Sequence, residues 1–349
     1  MKILISILTF CIVLFLYLHI FFHVNSSNDL EVYEIEQPSK EKLEQICDLK
    51  QPLMFDYECM PLLDTINREY LYNNYAAFDI KVRNTASRND NSDLYIPLSL
   101  GSMTSLLESD KEGKYFCENN TEFLNETVMI KTFRINDGFL RPHMVSNCNY
   151  DILLGSDGGT TPFRYNLNYR NYFLVTEDEI TVKLAPPSSS KYLYTIKDYL
   201  NFEFYSPINP WEIEKASALH QHDFNKVKCL EFKVKRGQIV QIPAYWWYSI
   251  KFGNKSTICS FKYRTYMNFV SILPEIFVNI LQQQNVKRQL VKKKMDINYG
   301  TGIGTGIGTG IGIGIGIGIG IPISTHHTGH ILPVSIHHTG HILTLSTNP

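Results

Sequence analysis

Two imidazoles one residue apart can share a metal ion, so the histidine pairs are the first side chains to weigh. The chain has 11 histidines. His220 and His222 flank Gln221 and precede Asp223, an H-x-H-D spacing in a long loop that is usable for a metal but more often marks a solvent-facing segment. His143, in Arg141-Pro142-His143, stands alone ahead of a strand-rich region. Six more histidines lie in two copies of His-His-Thr-Gly-His-Ile-Leu, His326–Leu332 and His337–Leu343, where clustered imidazoles bind zinc, copper or nickel adventitiously. Two other segments carry different chemistry. Thr161-Pro162-Phe163-Arg164-Tyr165-Asn166 holds a guanidinium that pairs bidentately with carboxylate or phosphate. The run from Gly237 to Tyr248 contains Ile242-Pro243-Ala244 and ends in Trp246-Trp247-Tyr248, aromatics that pack a core or wall a pocket. Arg164 either forms a salt bridge, with Asp157 or Glu177 as candidates, or faces an anionic ligand.

Short strands must position these residues. From Asp151 onward the pattern gives strands at 151–155, 163–168, 172–176 and 180–184, and a second set at 229–234, 239–242, 246–252 and 256–265. Gly, Pro and Asn turns between them indicate an antiparallel sandwich or barrel. The segment 186–227 reads as a long connecting loop containing Asn209-Pro210-Trp211. Upstream, Ser39 caps a helix over 40–48 and Gln51 to Phe55 reads as a strand. Residues 98–107 and 120–125 read as helices, and Arg83 to Asp93 as a loop. Pro274 can open a terminal helix with Ile276, Phe277, Ile280 and Leu281 on one face.

The composition allows a sizeable core: 349 residues, 44% hydrophobic and 13% aromatic. A formal charge of −1 provides no global field for nucleic acid, and the basic run Lys287-Arg288 with Lys292 to Lys294 reads as a solvated helix face. Ile3 to Phe22 carries no charge and is longer than a signal-peptide core, which predicts a retained signal anchor crossing a membrane. Lys2 before it and Asp29, Glu31 and Glu34 after it predict a single-pass type II orientation, the body lumenal, extracellular or on a viral membrane. Cleavage near Val24-Asn25-Ser26 leaves a secreted alternative. Sequons at Asn25, Asn119, Asn125 and Asn254 allow glycosylation, and six cysteines beyond the span allow up to three disulfides or buried free thiols. No C-x-x-C occurs, which argues against a zinc ribbon or a thioredoxin-like site. Alternating Gly-Thr-Gly-Ile units follow Tyr299, and they read as a disordered, aggregation-prone tail.

Taken together, Thr161-Pro162, Tyr172-Phe173, the strand exit Pro186-Pro187 and Gly237 through Trp247 resemble cupin-like, Jumonji-type domains of the 2-oxoglutarate oxygenase superfamily. The resemblance covers roughly residues 32–270 and implies a double-stranded β-helix, mainly β with flanking helices. The chain looks most like membrane-anchored cupin-like proteins of giant DNA viruses, whose AT-rich, repeat-prone genomes its Asn-, Ile- and Tyr-rich composition would fit. The implied organisation is an anchor at 1–23, a stalk at 24–37, a cupin-like domain at 38–270, a terminal helix at 271–298 and low-complexity repeats at 299–349.

In that family, two histidines and a carboxylate bind iron beside 2-oxoglutarate. Here the matching positions hold Arg164, Asn166 and Tyr248, which the resemblance would place around a vestigial pocket for an anionic ligand. The family's cosubstrate lysine falls on Ile180, and Lys183 lies three residues on, facing the other way. Thr161, Asn171 and Trp246 would remain as a vestigial cosubstrate lining. The resemblance therefore implies a non-catalytic binding or structural module with no catalytic residue, no bound metal and no cofactor. Its expected partners are the membrane through residues 3–22 and an unknown protein or small anionic ligand. One rival is an active Fe(II)/2-oxoglutarate hydroxylase with non-standard ligands, and another is a lumenal glycan-related binding protein.

Overall fold

The computed structural model describes residues 1–85 and 94–288. An apolar helix α1 (Lys2–Val24) precedes β1 (Tyr33–Ile35), α2 (Lys40–Cys47) and β2 (Leu53–Asp56). Then come α3 (Met60–Thr65), α4 (Arg68–Tyr75), β3 (Asp79–Asn84), β4 (Ile96–Ser99), α5 (Leu100–Ser109), β5 (Tyr115–Cys117), α6 (Thr121–Glu126) and α7 (Ile130–Asn136). The next strands are β6 (Val145–Gly155), β7 (Arg164–Tyr165), β8 (Arg170–Glu177), β9 (Glu179–Ala185), β10 (Ile196–Asp198) and β11 (Glu203–Tyr205). The described chain closes with α8 (Ala218–Phe224), β12 (Leu230–Lys235), β13 (Gln238–Gln241), β14 (Trp247–Phe252), β15 (Thr257–Thr265), α9 (Tyr266–Ser271) and α10 (Leu273–Arg288).

Two sheets form. One runs β1-β2-β13-β8-β15-β6-β5-β3-β4 and the other β10-β11-β7-β14-β9-β12. Strands β6 to β9 and β12 to β15 alternate between them, the pairing order of a double-stranded β-helix. Alternation decides which side chain goes where. Leu153, Phe173, Val175, Val240 and Ile258 of the large sheet meet Ile180, Leu184, Tyr248, Ile250 and Phe252 of the small one in a core between the sheets. The other face of the large sheet carries Tyr150, Ile152, Tyr172, Leu174, Cys259, Phe261 and Tyr263. That face packs against helices through Leu43, Leu62, Leu71, Met103, Phe123 and Phe133. Each buried large apolar side chain contributes about 1.5–3 kcal/mol relative to exposure, so both layers are needed to offset chain ordering.

Several sequence expectations shift. The segment 186–227 is not one loop: β10 and β11 extend the small sheet and α8 follows them. Three-residue strands are too short to show a period. Strand β6 begins at Val145, six residues early, because Asn147 and Asn149 alternate with half-buried positions and mimic a polar turn. Conversely, the strand expected over 163–168 is confined to Arg164–Tyr165. The helix expected from Leu98 starts at Leu100, since Ser99 turns the chain by accepting from Ser102 N. Ser39 caps α2 as expected, accepting from Lys42 N at 3.3 Å. The expected stalk folds onto the domain. Tyr33–Ile35 pair in parallel with Leu53–Phe55, Ser26 Oγ donates to the Ala244 carbonyl at 2.7 Å, and Lys50 Nζ donates to the Asn25 carbonyl at 2.7 Å. On α10, Ile276 packs with Leu167, Phe204 and Ile272 while Phe277, Ile280 and Leu281 stay exposed. The repeat tail, the rest of the basic run and most of the 83–93 loop lie outside the described residues.

Two glycines are demanded by geometry. Gly237 turns β12 into β13 with φ +84°, a left-handed conformation costly for a side chain. At Gly155, a Cβ would fall 2.2 Å from the Phe252 ring, so the close approach of β6 to β14 needs a hydrogen there.

Candidate functional site

Strands β7 and β14 bring the expected site residues together. Their register places Tyr248 directly opposite Arg164. Asn166, just past β7, donates from Nδ2 to the Tyr248 hydroxyl at 2.8 Å, and the Arg164 guanidinium lies 5.7 Å from the Tyr248 ring centre. Tyr245, held at φ +66°, anchors the other side by donating its N–H to the Asn166 carbonyl at 2.9 Å. Strain of this kind persists only where the surroundings over-determine it. Here the ring of Tyr165, 6.1 Å away, and that hydrogen bond supply the constraint.

Arg164 does pair with carboxylates, but not with Asp157 or Glu177. Its partners are Glu118, through Nη2 at 2.5 Å and Nη1 at 3.1 Å, and Glu203, at 3.0 Å. Arg83 of β3 reaches the same two acids at 2.8 and 3.0 Å, and the Tyr95 hydroxyl donates to Glu118 at 3.2 Å. Two guanidiniums and two carboxylates thus neutralise one another, all at most 10% exposed at the side chain. Burial by itself would push the Glu118 carboxyl up. The guanidiniums of Arg164 and Arg83 outweigh burial and hold it below its ordinary value. Arg164 therefore has little charge to offer a ligand.

The other expected positions are built into the scaffold. Thr161 Oγ1 accepts from Ile250 N at 2.9 Å, and Asn171 Nδ2 donates to the Ile242 carbonyl at 3.0 Å. Ile180 is buried opposite Phe252, four positions along β9 from Leu184, the partner of Tyr248. Trp246 is fully buried beside Tyr248 in the inter-sheet core, and its indole N–H has no partner among the described residues. Lys183 faces outward as the strand parity requires, pairing with Glu231 at 3.1 Å over the Trp211 ring.

The histidine pair does not converge. His220 and His222 lie on α8, where residues two apart point to different sides, and the His220 ring packs 4.6 Å from Tyr194. His143 is exposed in the turn before β6. Among the described residues no three His, Cys, Asp or Glu side chains are grouped for a metal. All seven cysteines are free thiols, so the open choice between disulfides and thiols falls to thiols.

Sequence reasoning missed Arg83, Glu118, Glu203, Lys262 and Arg264. The last two had a legible signal. Strand β15 reads Thr-Ile-Cys-Ser-Phe-Lys-Tyr-Arg-Thr, with Ser260, Lys262 and Arg264 on one parity, so its inner face turns polar toward its end. Arg83, Glu118 and Glu203 come from three distant stretches, and no local pattern links them.

The sheet order and the polar end of the inter-sheet space define a cupin-type fold that is polar at one mouth. A family model described as "Cupin-like domain" matches residues 60–268, and the chain belongs to that family. No curated protein matches the chain.

Proposed function

We propose that the protein is a membrane-anchored, cupin-like binding module without Fe(II)/2-oxoglutarate oxygenase chemistry. The observation that carries this reading is what occupies the three ligand positions. Arg164 has only N–H donors and is already committed to Glu118 and Glu203. The Asn166 amide donates to Tyr248, and a neutral amide and a phenol form a poor donor set for iron. The residues present do not fit the metal. A fully buried Ile180 where the cosubstrate lysine would stand extends the mismatch to 2-oxoglutarate.

The membrane part of the proposal rests on α1. It spans 23 residues, and an 18-residue stretch within it has a mean hydropathy of 2.7, long and apolar enough to cross a bilayer, with nearly all of its side chains facing outward. Lys2 before it and the acidic residues after it support a type II orientation, and the composition with the repeat tail supports a giant-virus source.

Anaerobic calorimetry of the full chain in detergent, titrated with Fe(II) and then with 2-oxoglutarate, tests the reading. No saturable heat from either is expected. Tight iron binding that Tyr248→Phe abolishes would establish an active oxygenase with non-standard ligands instead.

A further inference from the structure

The inner face of the large sheet changes character along its strands. At one end Leu153, Val175 and Ile258 enter the apolar core. Toward the other end, residues of the same parity are Asp151, Asn149 and Asn147 on β6, Asn171 on β8, and Ser260, Lys262 and Arg264 on β15. The register sets Lys262 directly beside Asn149 and Asn171. A cavity of about 260 Å³ opens over this end, with Asn147, Asn149, Asn166, Asn168, Lys262 and Arg264 in its wall. It holds two cations and a set of amides, and no carboxylate lines it among the described residues.

The nearby acids are already engaged. Asp151 accepts from the N–H groups of Asn119 and Asn120 at 2.7 Å, and Glu118 is claimed by Arg83 and Arg164. Lys262 acts on both acids only through space, and its ammonium has no hydrogen-bond partner among the described residues. Arg264 donates from Nε to Asn168 Oδ1 at 2.7 Å and lies 5.4 Å from the Phe202 ring, with no ion-pair partner among the described residues. Burial lowers its guanidinium pKa and no acid opposes that shift. A part-buried cation facing amides and no acid is poised for an anion from outside.

The rim lies close to the anchor. Tyr169, next to Asn168, packs its ring 5.1 Å from His23 at the end of α1. Helix α9, which begins two residues after Arg264, packs against α1.

We propose that this cavity binds a phosphate-type oxyanion. Lys262 and Arg264 supply the charge, and the amides of Asn147, Asn149 and Asn166 hydrogen-bond the ester or hydroxyl oxygens. The proposal rests on the preceding reading that iron does not occupy this mouth. A phospholipid headgroup at the membrane surface and a soluble phosphate share the required chemistry.

The full chain in nanodiscs of neutral lipid, titrated with inorganic phosphate, separates these sources from a parallel assembly containing phosphatidic acid. Thermal unfolding and calorimetry give the readout. A response to phosphate marks the soluble source, a response to phosphatidic acid marks the lipid source, and either supports the site. Lys262→Gln and Arg264→Gln each weaken the response about tenfold to a hundredfold, the scale of one charged hydrogen bond. Lys262→Arg retains binding, and so does Lys233→Gln at an exposed pair with Glu179 on the small sheet. No response in either assembly, or Gln variants that bind like the parent, overturns the site. An iron titration in the same discs keeps the two readings apart. Saturable iron that Tyr248→Phe abolishes sinks the preceding one, while the lack of any phosphate response without iron sinks this one alone.

Discussion

At the residue scale, the Glu118 carboxylate is the group whose removal tells most. It lies between two guanidiniums, and taking it away leaves Arg83 and Arg164 to share Glu203 in a buried place. Deleting one member of such a cluster costs about 3–5 kcal/mol, whereas replacing a whole pair by apolar groups is often neutral. Glu118→Ala should therefore lower the urea-unfolding free energy by about that amount, and Glu118→Leu with Arg164→Met should recover most of the loss. The pH dependence has a definite sign. The folded pKa of Glu118 is depressed below 4.5, so its stabilisation is present above that pH and fades as pH falls toward about 2. Glu118→Gln has no such charge to lose and should show a shallower decline in stability over that range in chemical-denaturation series.

At the element scale, what the sequence disclosed follows the strength of each local signal. The strand that carries Ile180 to Leu184 alternates sharply, those that carry Ile239 to Gln241 and Trp247 to Phe252 are short apolar runs, and all three stop just before Gly or Pro, so they form within a residue or two of where the sequence pattern puts them. The convergence of Arg164, Asn166 and Tyr248 was legible only through the resemblance of the two segments to cupin-like domains. The partners of Arg164 were not, because Glu118, Glu203 and Arg83 meet it across strand pairings that no window spans. The H-x-H pattern was not decisive for a related reason: its meaning depends on whether the backbone is a strand or a helix, and Ser217, accepting from His220 N, starts a helix there. The crossing of β6 and β14 at Gly155 yields a separate prediction. Gly155→Ala pushes a methyl into the Phe252 ring, and repacking of that kind costs about 1–3 kcal/mol. A drop in melting temperature by circular dichroism, with the spectrum unchanged, is the expected result.

At the scale of the whole molecule, the described sequon asparagines Asn25, Asn119, Asn125 and Asn254 are all exposed, so a lumenal body would present them to glycosylation. Expression in a eukaryotic secretory system should give a product that stays with membranes through alkaline carbonate and shifts to lower mass on treatment with peptide N-glycosidase. Solubilisation by carbonate would show that α1 does not hold the chain in a bilayer. A membrane-bound product that never shifts would place the body on the cytoplasmic side. The thiols bear on the same question. Burial pushes the pKa values of Cys47, Cys117 and Cys259 upward, which disfavours the reactive thiolate and lets free cysteines persist in an oxidising compartment.

The way the chain leaves α1 also has a mechanical consequence. Only Asn25 separates Val24, the last residue of that helix, from Ser26, which is fastened to Ala244, while Asp29 accepts from Gln51 at 2.9 Å and Tyr33 enters the sheet edge. A tug on the helix loads these clips in sequence before it reaches the barrel, so they act as a shear coupling instead of a slack leash. An anchored body joined this way transmits torque and cannot swivel freely about its attachment. Lengthening the joint with a glycine-serine insert after Asn25 would convert a rigid mast into a loose tether.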